Sequence, residues 1–333
     1  FGGQPRDLNL PGLVDASCTA SCSFSRTLTD QGGGGSWTAQ AVDFPPGAQV
    51  TVSPCSFSVS AAASRTLNVT VNVGGTGVIN EWVSGKIRLS APGYPDQHLT
   101  VSVFSDGGEL PDEWVINDDR NGGWKLFNLS GLVALSDVTF TAGKLTRRNR
   151  NAKVLPEDNT NSDPYDSDSG VLTRWYPLPQ GALWLYAETM DSTSEDVDLF
   201  VGLDSDGDGR AEESEELCSS TSPDEFERCD LYDLPPGDYW VIAQNWTAGP
   251  SGEDEIALFS AAIEPGDDSR LAVSGPGITT FNENFPVRVS WDNLRALPGE
   301  TWLGAVGLGS NRDAPNNVGI IPLRFNRTAV SSS

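Results

Sequence analysis

The sequence predicts an all-β protein built from tandem β-sandwich modules. Its 333 residues include 35 glycines and 22 prolines, the residue types that favour turns and interrupt helices. Apolar and polar residues alternate over short stretches, which is the pattern of a strand with one buried face. At about 100–150 residues per domain, the length allows two or three domains. No apolar run approaches the roughly 18 residues that would indicate a membrane-spanning helix.

The first predicted module, residues 1–110, is an immunoglobulin-like sandwich. Its clearest strand runs from Arg65 to Val73, where every second residue is apolar. Turn signals such as the glycines at 32–35 separate the strands. Short strands at this spacing are typical of an immunoglobulin or fibronectin-III-like sandwich. The predicted strands are 22–29, 36–42, 48–53, 65–73, 83–90 and 98–105.

The second predicted module, residues 111–266, is a jelly-roll-like sandwich, and the third, residues 267–333, is a small sandwich. The boundary before the second module is placed in the segment 106–130, which is rich in glycine and turn residues. A module of this length buries little apolar surface by itself. We therefore expect the third module to pack against its neighbour. The predicted strands are 171–177, 182–189, 196–202, 238–246 and 255–263 in the second module and 269–274, 286–291, 301–308 and 320–326 in the third.

The negative charge of the chain is concentrated in its middle. Acidic side chains outnumber basic ones by 46 to 21, for a formal charge of −25, and residues 106–268 alone carry −26. So negative a surface repels phosphate groups, which argues against nucleic acids and anionic membranes as partners. The middle segment must tolerate or use this charge.

One loop of the second module has the pattern of a calcium-binding loop. Counting Asp204 as position 1, carboxylates stand at positions 1, 3, 5, 9 and 12, and Gly209 stands at position 6. Calcium prefers roughly six to eight hard oxygen ligands, which alternate carboxylates on a tight loop supply. A strand precedes the loop, whereas an EF-hand has helices on both sides, and a solvated acidic turn is the alternative interpretation. The predicted ligands are the side chains of Asp204, Asp206, Asp208, Glu212 and Glu215 and the carbonyl of Arg210.

Two other groups of acidic residues are candidates for a second cation site. Neither group meets the full template of a calcium loop, so a solvated loop is the alternative interpretation for both. The first group lies at the start of a predicted strand, and its proposed ligands are Asp191, Asp196 and Asp198, with Glu195 nearby. The second group lies on a polar loop and consists of Asp163, Asp166 and Asp168.

Five cysteines indicate an oxidising compartment. Cys218 and Cys229 bracket a short polar loop, which suits a local disulfide in an exported protein. Cys18 and Cys22 lie just before a strand and can also pair, while the odd count leaves one thiol free or in an intermolecular bond. The spacing lacks the paired knuckles of a structural zinc site, and the single histidine cannot supply the missing ligands.

The sequence contains no recognisable catalytic motif. A serine triad would need His98, which lies in an evident strand with no nucleophile turn nearby. HExxH, P-loop and dinucleotide-binding motifs are absent. Paired carboxylates for glycoside hydrolysis carry little information in so acidic a chain.

Two of the ten tryptophans are candidates for binding platforms. Most of the tryptophans lie in predicted strands, where core packing is the usual role. Trp124 stands beside two glycines and Trp246 stands at a strand end. Exposed there, either ring would engage a sugar or a protein fibre.

Three stretches of the first module, 7–11, 25–30 and 50–57, read DLNLP, SRTLTD and VTVSPCSF. In order and spacing they resemble the patterns LNxPS, xRTVTN and VxVxPxSF of the fibronectin-III-like domain that follows the catalytic domain in many subtilisin-like serine proteases. That family more often has serine where this chain has Cys55. The resemblance therefore implies that Cys55 is unpaired and that Cys18 is joined to Cys22.

Two stretches of the second module, 196–201 and 234–241, read DVDLFV and LPPGDYWV. They resemble strands of the pre-peptidase C-terminal domain of secreted bacterial peptidases, and the calcium-type loop lies between them. The serine, histidine and aspartate motifs of the protease are absent here. The resemblance thus implies a non-catalytic accessory region of a secreted subtilisin-like endopeptidase, which serves stability, secretion or substrate attachment and has its own catalytic domain, upstream in the full-length chain, as partner.

A free-standing extracellular adhesive protein is the alternative function. In that case the tryptophan platforms would bind a carbohydrate or protein polymer. Calcium is the expected cofactor, because spaced carboxylates on one loop would repel each other without a cation.

Overall fold

The computed structural model of the chain is almost entirely β-sheet, which confirms the predicted fold class. The structure describes residues 5–74, 77–160, 162–166, 170–266 and 270–329. Within these ranges the helical segments are two short 3₁₀ turns, Pro5–Asp7 and Glu213–Glu215. No helix in the described part of the chain is long and apolar enough to cross a membrane.

The strands follow one another with short connections. The first eight are β1 (Gly12–Cys18), β2 (Ser21–Thr29), β3 (Gly34–Val42), β4 (Gln49–Ser53), β5 (Ser56–Ser60), β6 (Ser64–Asn72), β7 (Glu81–Ser90) and β8 (Gln97–Ser105). The next eight are β9 (Trp114–Asp118), β10 (Gly123–Leu129), β11 (Thr139–Ala142), β12 (Thr146–Arg147), β13 (Asn149–Pro156), β14 (Val171–Leu178), β15 (Ala182–Thr189) and β16 (Asp196–Leu203). The last eight are β17 (Glu216–Ser220), β18 (Glu227–Leu234), β19 (Gly237–Thr247), β20 (Glu253–Ile263), β21 (Leu271–Ser274), β22 (Phe285–Trp291), β23 (Thr301–Gly309) and β24 (Gly319–Arg327).

Strands β1 to β8 form the first sandwich. One sheet has the order β1-β8-β7-β3-β5 and the other the order β2-β6-β4. β1 joins its sheet parallel to β8, and the other pairs are antiparallel. Leu67, Val69 and Val71 of β6 are fully buried between the sheets. The alternation of apolar and polar residues along β6 therefore reflects the burial of one strand face in this core.

The motif residues of the first sandwich bind one another. Arg26 is 2% exposed, and its guanidinium donates to the carbonyls of Leu10 at 2.8 Å and Gly12 at 3.0 Å. The Asn9 side chain accepts from the Thr27 amide at 2.8 Å and donates to the Thr27 carbonyl at 3.0 Å. These bonds tie the segment before β1 to β2, so the stretches 7–11 and 25–30 act as one structural unit.

The second sandwich, which we call the host sandwich, is built from two separate segments of the chain. β9 to β12 come from the first segment and β21 to β24 from the second. One sheet has the order β10-β22-β21, and the other has the order β11-β23-β24-β9 with β12 also paired to β23. Its core joins Trp114 and Leu129 of the first segment to Val289 and Phe325 of the second.

The third sandwich, which we call the inserted sandwich, spans residues 149–263 between the two halves of the host. Its sheets have the orders β13-β20-β15-β18 and β14-β19-β16-β17. Val197, Leu199 and Val201 of β16 point into the core between them. Asp198 and Phe200 therefore lie on the outer face of their sheet, because successive strand residues point to opposite sides.

This arrangement corrects the predicted module boundaries 111–266 and 267–333. All seven residues of β10 pair with β22, and β9 pairs parallel to β24. The segment 106–130, interpreted as a boundary, thus contains two strands of the host sandwich. Composition could not show this, because a turn-rich stretch of sequence does not reveal a pairing partner that lies more than 150 residues away.

The inserted sandwich carries most of the charge. Residues 149–263 contain 26 acidic and 5 basic side chains, for a net charge of −21, whereas the flanking host segments 111–148 and 264–333 together carry −1. The two sandwiches share an apolar contact in which Trp184 and Phe259 pack with Leu303 of the host. The acidic unit is therefore a distinct sandwich docked on a nearly neutral one.

Candidate calcium site

The loop after β16 brings three of the predicted ligands together. The Asp204 amide donates to the carbonyl of Asp238 at 2.9 Å, which fixes the start of the loop to β19. One carboxylate oxygen from each of Asp204, Asp206 and Asp208 lies within 4.8 Å of the others. Among the residues that the structure describes, this is the only such group of three or more. Asp206 and Asp208 are exposed, so the group is open to a cation from solvent.

Backbone amides orient these carboxylates. The two oxygens of Asp204 accept from the amides of Gly207 at 2.7 Å and Gly209 at 2.9 Å, and Asp206 accepts from the Asp208 amide at 3.0 Å. Gly207 and Gly209 have φ values of +77° and +76°, which glycine adopts without strain. The glycine at position 6 thus provides the turn that the pattern requires.

The remaining predicted ligands lie outside this group. Glu215 is 6% exposed, and its Oε1 accepts from the Ser205 amide at 2.6 Å while its Oε2 accepts from Nε1 of Trp240 at 3.3 Å. Glu215 therefore anchors the loop to the sheet beneath it. Glu212 and Arg210 are exposed, and Glu212 does not belong to the converged group.

A groove lies beside the loop on the outer face of the β16 sheet. It has a volume of about 1210 Å³, and its aromatic lining residues are Tyr165, Phe200 and Trp246. The Tyr165 hydroxyl donates to Glu216 at 2.5 Å, and burial is the main cause that raises the pKa of Tyr165. The predicted Asp168 lies outside the described residues. The acidic lining residues are Asp163, Asp166, Glu212, Glu213 and Glu216.

A second group of carboxylates lies at the start of β16. Asp196 is half-buried, Asp198 is 7% exposed, and Glu227 of β18 is 2% exposed. Burial, and then the negative charges of Asp196 and Glu227, raise the pKa of the Asp198 carboxyl to about 7. Asp191, which was predicted to belong to this group, is exposed in a turn and is not among the charges that act on Asp198. Glu227 was not predicted to belong to this group, because β18 is distant from β16 in the sequence and the two strands meet only in the folded chain.

Both predicted disulfides are present. Cys18 is bonded to Cys22, and Cys218 is bonded to Cys229. Cys55 is an exposed free thiol, as the resemblance implies. The second disulfide joins β17 to β18 and closes the connection between them, which we call the disulfide loop (residues 218–229).

The two candidate platforms have different surroundings. Trp246 is half-buried and lines the groove beside the acidic loop. Trp124 is 55% exposed on β10 of the host sandwich, and the guanidinium of Arg288 lies over its ring at 5.0 Å. Ser290, on the neighbouring strand, stands opposite Trp124. Trp124 is therefore the open platform of the two.

The first sandwich matches a known family. Residues 7–103 match the family model described as a fibronectin type-III domain, which covers less than a third of the chain. The first sandwich is thus fibronectin type-III-like. No curated protein matches the chain.

Several solved structures show a partial likeness. The secreted serine protease VesC from Vibrio cholerae is 11% identical with a TM-score of 0.25, over 75% of this chain and 49% of that one. Tripeptidyl peptidase 2 is 10% identical with a TM-score of 0.26, over 97% of this chain and 40% of that one. The M60 catalytic domain with two CBM51 domains from Clostridium perfringens ZmpB is 10% identical with a TM-score of 0.23, over 94% and 40%. This chain spans less than half the length of each, and scores this low establish no common fold for the whole chain.

Proposed function

We propose that this chain is a non-catalytic C-terminal accessory region of a secreted subtilisin-like serine endopeptidase, with calcium stabilising its acidic sandwich. The observation that carries the proposal is the fibronectin type-III match over residues 7–103. Within it, the stretches that resemble the domain after a subtilisin-like catalytic domain bind each other through Arg26 and Asn9. Two disulfides support an oxidising, extracellular location.

The parent enzyme is tested by the coding sequence upstream of residue 1. We expect an in-frame subtilisin-like catalytic domain with its serine, histidine and aspartate motifs. A complete upstream reading frame without such a domain would contradict the assignment. In that case the alternative, a free-standing polymer-binding protein, would stand.

The loop after β16 is suited to calcium. Asp204, Asp206 and Asp208 offer only hard oxygen donors, already turned toward one point. Water and loop carbonyls would complete the roughly six to eight ligands that calcium takes. Because only the folded loop presents the three carboxylates together, calcium binding would stabilise the fold.

Calcium stabilisation is tested by thermal unfolding. We expect millimolar calcium to raise the melting temperature of the wild type and to raise that of Asp206→Ala less. Asp96→Ala is the matched control, because Asp96 is an exposed aspartate of the first sandwich. Equal calcium shifts in Asp206→Ala and wild type would refute the loop site.

Attachment to a polymer is the second candidate function, and the exposure of Trp124 favours it. On the outer face of the β10-β22-β21 sheet, Arg288 flanks the Trp124 ring, while Ser290 and Ala272 across the sheet are small. A flat aromatic ring with small neighbours leaves room for a sugar ring to stack.

Pull-down on insoluble polysaccharides and collagen tests this candidate. Trp124→Ala should lose binding, whereas Trp82→Ala, which removes a comparably exposed ring from the first sandwich, should keep it. Loss of binding in Trp246→Ala instead would move the polymer site to the groove. Equal binding by all three variants would exclude both platforms.

A further inference from the structure

Two aspartates at the start of β16 have buried side-chain atoms that no hydrogen-bond donor reaches from the described residues. Asp198 is 7% exposed, and no hydrogen bond or ion pair reaches its side chain from the described residues. The Oδ1 atom of Asp196 is fully buried and also lacks a partner in the described part of the chain. A carboxylate removed from water costs free energy unless donors or a cation compensate it. A counter-charge is therefore expected here.

The disulfide loop carries a third carboxylate and is itself bonded to the same strand. Oε1 of Glu227 accepts from the amide of Ser222 at 2.6 Å and from its hydroxyl at 2.5 Å, and Oε2 accepts from the Ser220 hydroxyl. The carbonyl of Asp224 accepts from the Val197 amide at 3.1 Å, which ties the loop to β16 between its two aspartates. The position of Glu227 is thus fixed on both sides.

Within the described part of the chain, no basic side chain forms an ion pair with this group. The one arginine of the disulfide loop, Arg228, is paired with Asp230 at 2.7 Å. The charges that act on Asp196 are instead those of Glu227 and Asp224, and the charges that act on Asp198 are those of Asp196 and Glu227. The carboxylates repel one another, so their ionised forms need a counter-charge, which a bound cation would supply.

We propose that Asp196, Asp198 and Glu227 bind a calcium ion, with Asp224 at the rim of the site. Donors that are all carboxylate oxygens favour a hard cation such as calcium over zinc. Unlike those of the Asp204 group, their oxygens do not all lie within 4.8 Å of one another, so binding would draw the side chains inward. The site shares no residue with the loop after β16, so either site can fail while the other stands.

Asp198→Asn tests the proposal, because it removes the charge and keeps the shape. Calcium titration by calorimetry on the full chain should show one ion fewer than in the wild type. In EDTA the variant should melt above the wild type, because an uncompensated buried charge has been removed. In millimolar calcium the wild type should instead melt above the variant, because the variant has lost a calcium ligand.

Two matched variants separate this site from its surroundings. Asp191→Asn, on an exposed neighbour, should leave both the ion count and the melting order unchanged. Asp206→Ala should remove only the ion bound by the loop after β16. When Asp198→Asn is added to Asp206→Ala, the double variant should still melt above Asp206→Ala in EDTA and below it in millimolar calcium. Glu227→Gln should lose the same ion. If Asp198→Asn does not fold, Glu227→Gln serves as the test variant in its place.

Two results would overturn the proposal. One is an unchanged calcium count in Asp198→Asn or in Glu227→Gln. The other is an Asp198→Asn protein that is more stable than the wild type by the same amount with and without calcium, which would show a bare repulsive cluster that no cation relieves.

Discussion

The inserted sandwich contains two clusters of carboxylates that differ in how their charge is compensated. The loop cluster of Asp204, Asp206 and Asp208 lies at the surface and accepts hydrogen bonds from backbone amides. The buried cluster around Asp198 has no donor for that side chain among the described residues. A carboxylate therefore costs little free energy at the loop cluster and more at the buried cluster.

The difference shows why net charge alone predicts little about cation binding. Water and backbone amides stabilise exposed carboxylates, so we expect the loop cluster to depend less on a bound cation. Burial without donors makes ionisation costly, as the raised pKa of Asp198 shows. We therefore expect an ion to stabilise the fold more at the buried cluster than at the loop cluster.

The largest expected effect comes from opening the disulfide loop. Replacing Cys218 and Cys229 by serine should cost about 3 kcal/mol of unfolding free energy, because the crosslink no longer restricts the unfolded chain. It should also weaken calcium binding at the buried cluster, because Glu227 loses its anchor. Urea unfolding and calcium titration measure the two effects.

The other disulfide provides the control for this double variant. Replacing Cys18 and Cys22 by serine should destabilise the first sandwich and leave calcium binding unchanged. If opening the Cys218–Cys229 bond leaves calcium affinity and ion count intact, Glu227 does not depend on the disulfide loop, and the buried site is built differently.

Neutralising the buried anchor of the loop cluster should have an intermediate effect. Glu215→Gln replaces a carboxylate that accepts from Ser205 and Trp240, so it should cost about 1–3 kcal/mol even in EDTA. Glu212→Gln, on an exposed side chain, should change stability by less than about 0.5 kcal/mol. Equal costs in chemical denaturation would mean that Glu215 does not anchor the loop.

The smallest expected effect concerns the turn of the loop cluster. Gly209 has a φ of +76° and no atom near its Cβ position, so Gly209→Ala should cost about 1 kcal/mol through backbone strain alone. Gly277 also has open space at its Cβ position but no positive φ, so Gly277→Ala should not be destabilising. A destabilisation of equal size in both variants would contradict this account of the turn.

Local patterns in the sequence sufficed to predict most strands and one cluster. The alternation of Val197, Leu199 and Val201 is visible in the sequence because one strand face is buried in the core. The loop cluster was likewise predictable, because Asp204, Asp206 and Asp208 lie within five consecutive residues and are brought together by the turn of a single loop.

Contacts between distant residues were not predictable in the same way. β10 was assigned to a boundary segment because its partner, β22, lies on the far side of the inserted sandwich. Glu227 escaped notice because its electrostatic effect on Asp198 depends on the pairing of β16 with β17 and on the disulfide loop. Asp191 was included because it is near in sequence, although its turn exposes it.

Amide hydrogen exchange of the full chain with and without millimolar calcium tests the central claim most directly. We predict that calcium increases protection in the 204–215 loop, in the disulfide loop and at the start of β16, with the larger gain at β16. The first sandwich should be unaffected, because its residues hold neither cluster. Unchanged protection at β16, or a gain spread evenly over all three sandwiches, would contradict the account.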